Sequence, residues 1–217
     1  MTMKRTSATA CRVYLGRGLL LSTLALVTAC ALPDKPRPST SYDFGPGAAP
    51  ETTAATTQNL PALVLLDVEF SPALDGAALL YRLAYADAQA LHPYAQARWS
   101  MPPAQLLRQQ ARTQLGATRP ILAAGETLAG SATPWTLRLE LEEFSQVFQT
   151  PTASSGLVRL RASVSQPSPQ GDRLIGQRWI TVQRPAPTAD APGGVRALSA
   201  ATQAAVAELG SWLVQLR

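Results

Sequence analysis

Between residues 135 and 142 the sequence WTLRLELE alternates large apolar with polar side chains without a break. Trp135, Leu137, Leu139 and Leu141 share one face of an extended chain, and Thr136, Arg138, Glu140 and Glu142 share the other. Such a strand buries one face and leaves the other to water, so the rest of the chain must supply partner strands and a cover. The phase slips at Glu143–Phe144, which predicts a β-bulge or a strand end.

The neighbouring segments fit that demand. After a loop, PTASSG, the segment LVRLRASVSQ puts Val158, Leu160, Ala162 and Val164 on one face. Arg159 and Arg161 fall on the other, placed to pair across strands with Glu140 and Glu142. PSPQGD turns the chain, and RLIGQRWITVQ gives a further strand, so the order reads as a β-meander. Upstream, Ala62–Phe70 (ALVLLDVEF) reads as one buried strand and SPALDG as a loop. In Leu79–Tyr85, Tyr81, Leu83 and Tyr85 share a face with Arg82 opposite. ADAQ is read as the turn into a second short strand from about Ala90 to Trp99.

Two helices complete the pattern. SMPPAQLLRQQARTQL starts at a proline, where a missing N–H costs nothing, and repeats Leu107, Ala111 and Leu115 at helical spacing. Val195, Leu198, Ala205, Leu209, Trp212 and Leu216 form a second apolar stripe. A helix from Val195 to Leu216 would be about 33 Å long, enough to cover a sheet face. The expected fold is α+β, sandwich-like: a mainly antiparallel β-sheet with two helices packed on it.

The N-terminus carries the strongest local signal. Lys4, Arg5, Arg12 and Arg17 precede an apolar run, Leu19–Ala29, too short to span a bilayer comfortably and ending in small residues. It reads as a secretory signal peptide. Val27, Thr28 and Ala29 before Cys30 resemble the lipobox of bacterial lipoproteins. That resemblance implies cleavage between Ala29 and Cys30, acylation of Cys30 and, with Ala31 rather than Asp next, retention on the periplasmic face of the outer membrane. Residues 1–29 are thus a leader. Residues 30–59, rich in Pro, Ala and Thr, read as a flexible tether whose aromatic island Tyr42–Pro46 is placed to dock. Residues 60–217 read as the folded domain.

The leader changes the charge argument. Four of the 19 Lys and Arg precede Cys30 and none of the 14 Asp and Glu do, so the formal +5 falls to near neutrality in the mature chain. A basic surface for nucleic acid is not supported. Cys11 leaves with the leader and Cys30 is acylated, so no thiol remains for a disulfide, a thiolate metal site or a nucleophile.

Chemistry-bearing motifs are scarce. There is no phosphate-binding glycine loop, nucleophile elbow or EF-hand, so the chain is no ATPase. His92 is the lone histidine and lacks the partners of a triad or a zinc site. Glu140 and Glu142 share a strand face instead of facing one another across a cleft, as glycoside hydrolysis requires. No catalytic residue, metal or cofactor is expected. The aromatics Tyr81, Trp99, Trp135, Phe144, Phe148, Trp179 and Trp212 read as core. Tyr85, His92 and Tyr94, grouped near a turn, are the candidates for a partner-docking surface.

A lipobox and tether, then YDFGP, LDVEFSPALDG, LLYRLAYADAQALHPYAQARWSMPPAQLL and WTLRLELEEFSQVF, with a C-terminal helix ending in SWL, together resemble the ABC-type transport auxiliary lipoprotein family. Its members include the lipoprotein of the paraquat-inducible system. The resemblance spans about residues 42–216. It implies a non-catalytic component of an intermembrane transport system for lipids or other hydrophobic compounds. Such a component docks on a periplasmic MCE-domain protein encoded with an ABC permease and ties it to the outer membrane. Self-assembly into a ring would suit a component that extends a channel. The same tether would also serve an outer-membrane adaptor that activates a peptidoglycan synthase, which is the alternative reading; a periplasmic hydrolase is a third.

Overall fold

The computed structural model describes residues 38–46, 60–126 and 133–216. Ala29 and Cys30 lie outside the described residues, as do residues 47–59 of the expected tether.

The strand predicted from its alternation is the longest of the sheet and its spine. The strands are β1 (Thr40–Tyr42), β2 (Leu63–Leu65), β3 (Glu69–Phe70), β4 (Ala78–Leu83), β5 (Asp87–Trp99), β6 (Ile121–Leu122), β7 (Trp135–Thr150), β8 (Ala153–Gln166) and β9 (Arg173–Pro185). Along one edge of β7, β8 pairs antiparallel for nearly its whole length, and β9 pairs antiparallel outside β8. Along the other edge, β2, β3 and β4 lie end to end, each parallel to it: Leu63 opposite Trp135, Glu69 opposite Glu140, Tyr81 opposite Gln146. A 3-10 turn, Pro72–Leu74, fills the gap between β3 and β4. β5 pairs antiparallel with β4, β1 parallel with β5, and β6 parallel with β2.

The long ladders are therefore antiparallel, but the sheet is mixed and only β7–β9 form a meander. Periodicity shows which face of a strand is buried, not which neighbour it takes, so the parallel pairings were invisible. The expected strand Ala62–Phe70 is two short strands, because Leu66–Val68 leave the ladder between them. PTASSG is not a loop: only Pro151 and Thr152 turn, and β8 begins at Ala153. The β4–β5 turn is Ala84–Ala86, closed by the Ala86 N–H donating to Leu83 O, and β5 starts at Asp87.

Thr40–Tyr42, inside the expected tether, forms a strand on β5. Phe44 packs edge-on to Trp99 at 5.7 Å and tilted against Phe144 at 6.4 Å, so the aromatic island is part of the fold. Folded structure begins well before Leu60.

The bulge falls where the phase slip predicts. Leu141 pairs with Leu160 and Glu143 with Arg159, which leaves Glu142 extra. Beyond it the inward face passes from odd to even residues: Trp135, Leu137, Leu139 and Leu141 are buried, then Phe144, Gln146 and Phe148.

Two α-helices cover this inward face. α1 (Pro103–Gly116) buries Leu106, Leu107, Ala111 and Leu115. α2 (Ala191–Gln215) buries Val195, Leu198, Ala205, Leu209 and Trp212 together with Ala201, Val206 and Leu213, a broader stripe than predicted. It starts one turn earlier than Val195 because Asp190 caps it, its carboxylate accepting from Gly193 N at 2.8 Å. Thr188 donates its hydroxyl to the same oxygen at 2.6 Å. The resulting bonds hold the Asp190 carboxyl below the usual carboxylate range. α2 packs on β7, β8 and β9, and α1 packs beside α2.

Candidate docking surface

The helices leave the opposite sheet face open, and its charges are compensated locally. Arg161 pairs with Glu140 and Arg159 with Glu142 at 3.3 Å, the cross-strand pairs expected from the pattern. Two further pairs were not predicted: Arg82 with Glu143 at 2.9 Å, and Arg138 with Glu69 at 3.4 Å. Both depend on β3 and β4 lying beside β7. Arg82–Glu143 is the most sheltered of the four, with Glu143 buried. The other three are at least part exposed, and such pairs contribute little to stability and mark a solvated face more than a reactive one. Trp179, expected in the core, lies on this face and is half exposed. Its register partner is Arg161, whose guanidinium sits 5.8 Å from the ring centre, and its indole N–H donates to Glu142 at 3.1 Å. Alternation puts Trp179 opposite in phase to buried Ile180, a signal the sequence did contain.

The three candidate docking residues part company. Tyr85 sits in the Ala84–Ala86 turn at the hairpin tip and is among the most exposed large side chains. His92 is exposed on β5 and stacks at 5.4 Å on Tyr81, its cross-strand partner. Tyr94 turns inward. Its hydroxyl donates to Gln146 Oε1 at 2.9 Å, and Gln146, fully buried, donates in turn to Ser154 Oγ at 2.7 Å. Burial, aided by Tyr81 and Asp190, pushes the Tyr94 phenol up to about 12. Tyr94 is an internal bridge between β5 and β7, and the exposed end of the hairpin is left to Tyr85 and His92.

A pocket of about 510 Å³ opens between α1 and the β3–β4 excursion. Phe70 opposes core-facing Leu141, yet it remains 40% exposed because the pocket leaves it uncovered. Asp67 and Asp75 stand on one side, Arg108 and Arg112 on the other. Arg108 Nε lies 3.3 Å from Asp67 Oδ1, close enough for an ion pair but off the line of a hydrogen bond. The sequence puts Arg108 and Arg112 one helical turn apart in the predicted helix. It did not show which loop would face them.

Among the described residues no group of three His, Cys, Asp or Glu is placed to hold a metal ion. No described helix is long and apolar enough to cross a membrane.

A family model described as the ABC-type transport auxiliary lipoprotein component matches residues 42–210. Among solved structures, the chain is similar to a protein of Xanthomonas campestris assigned to the family DUF330, with a TM-score of 0.61 and 16% identity, over 83% of this chain and 92% of that one. An uncharacterized protein matches with a TM-score of 0.61 and 15% identity, over 82% and 99%. At such identities these likenesses show the fold. No curated protein matches the chain.

Proposed function

The chain belongs to the ABC-type transport auxiliary lipoprotein component family, and from that premise we propose that it is a non-catalytic, lipid-anchored adaptor of an MCE-type intermembrane lipid transport system. The observation that carries the reading is the family match across residues 42–210, which takes in every strand from Tyr42 onward and most of α2. Cys30 would carry the lipids after cleavage behind Ala29, with Ala31 favouring the outer membrane. More than one acyl chain is needed for stable anchoring, which a triacylated cysteine would supply. The folded domain would then hold a periplasmic MCE-domain partner by surface contact, with self-assembly as an optional extension of the passage.

The hairpin end bearing Tyr85 and His92 is our candidate contact. Exposed aromatics on a rigid turn supply large contact area at small entropic cost, the usual character of interface hot spots. Affinity purification from native envelopes tests the reading: an MCE-domain protein should co-purify, and recovery of cell-wall synthases alone would overturn it.

A further inference from the structure

We propose that the pocket between α1 and the β3–β4 excursion binds a phosphoethanolamine zwitterion, presented as the headgroup of a phospholipid. This rests on the reading of the protein as part of a lipid transport system and names the lipid chemistry it would touch. The volume, about 510 Å³, falls within the range of small-molecule sites. The walls carry both signs of charge, separated by element. Arg108 and Arg112 project from successive turns of α1, spacing that lets two guanidinium groups share one phosphate. Asp67, in the link between β2 and β3, and Asp75, in the β3–β4 excursion, face them, and two carboxylates suit an ammonium with several N–H donors. Within the described residues neither Arg112 nor Asp75 has an ion-pair partner, and Arg108 has only its off-line contact with Asp67.

The apolar part of the lining selects among zwitterions. Buried Val68 floors the site and exposed Phe70 stands at its wall, giving a surface for the glycerol and first methylenes of a lipid. One phenyl ring is no aromatic cage, so a choline group gains less here than a primary ammonium does. A headgroup with phosphate alone would leave the Asp75 carboxylate without a cation and would compete with Asp67 for Arg108.

Calorimetric titration of the full lipoprotein held in amphipol tests this, with three probes: lysophosphatidylethanolamine, lysophosphatidylglycerol and free O-phosphoethanolamine. The first should bind most tightly. Arg112→Gln and Asp75→Asn should each weaken it about tenfold, the scale of one charge-assisted contact, without moving the melting temperature. Both side chains are exposed, so neither variant should threaten the fold. Equal binding of lysophosphatidylglycerol, or indifference to both substitutions, would overturn the site. Free O-phosphoethanolamine binding as tightly as the lysolipid would overturn the lipid assignment. Failure here with partner co-purification intact removes the pocket alone; loss of co-purification in the wild type removes the adaptor reading.

Discussion

Gly156 of β8 lies under the backbone of α2, so close that a Cβ at this position would stand 2.5 Å from Leu198 N. The atoms in the way are main chain, which no rotamer change can move. The missing side chain is what lets the helix lie down on the sheet. Gly156→Ala should lift α2 and destabilise the protein by about 1–3 kcal/mol, the usual cost of overpacking. Chemical denaturation measures it. An unchanged midpoint would mean that α2 does not sit as closely as described.

Much of this was legible in the sequence, and the reasons for the rest are physical. The β7 alternation, its slip at Glu143–Phe144, the Arg161–Glu140 and Arg159–Glu142 pairs and both helices follow from local periodicity. The parallel contacts of β2, β3 and β4 do not, because strands of two to six residues carry too little pattern to choose a partner. Trp179 was misplaced by residue type: an aromatic average overrode its phase against Ile180. The bond from Tyr94 to Gln146 joins residues 52 positions apart, a link that no local pattern encodes. The pocket needed two segments about 40 residues apart to meet, which nothing local encodes.

Tyr94 offers a test at alkaline pH. Its folded pKa, about 12, lies above the ordinary 10, so the folded state holds the proton longer than the unfolded chain does. The stability this implies is complete below pH 10 and is lost as the pH rises through 12. Tyr94→Phe should flatten stability against pH across that window. At neutral pH it should cost about 1–3 kcal/mol, because Gln146 Oε1 loses its donor in a buried site. Urea titrations at several pH values would show both effects; an identical alkaline slope in the variant would contradict the bridge.

Asp190 gives the opposite sign. Its carboxyl is held low by Thr188 and Gly193, so its stabilising effect is present above the usual carboxylate pKa and fades as the pH falls through the depressed value. Asp190→Ala removes the cap from α2 and should cost about 1 kcal/mol at neutral pH. Asp190→Asn should retain part of the cap while losing the acid dependence. Thermal melts from pH 7 to pH 2 distinguish the three proteins.

If Cys30 carries the anchor as proposed, Cys30→Ala should abolish metabolic labelling with palmitate and release the protein from the membrane fraction. Retention at wild-type level would show that the anchor is something else.

On the proposed function, the domain holds an MCE-domain partner through the exposed hairpin end. A photo-crosslinking amino acid in place of Tyr85, irradiated in native cells, tests it most directly. Tyr85 is exposed in the turn and makes no side-chain hydrogen bond within the described residues, so the substitution should leave the fold intact. The account predicts a single dominant adduct whose peptides belong to an MCE-domain protein, absent when the probe sits at buried Leu160. A dominant adduct to a peptidoglycan synthase, or none from Tyr85 and His92 alike, would contradict it.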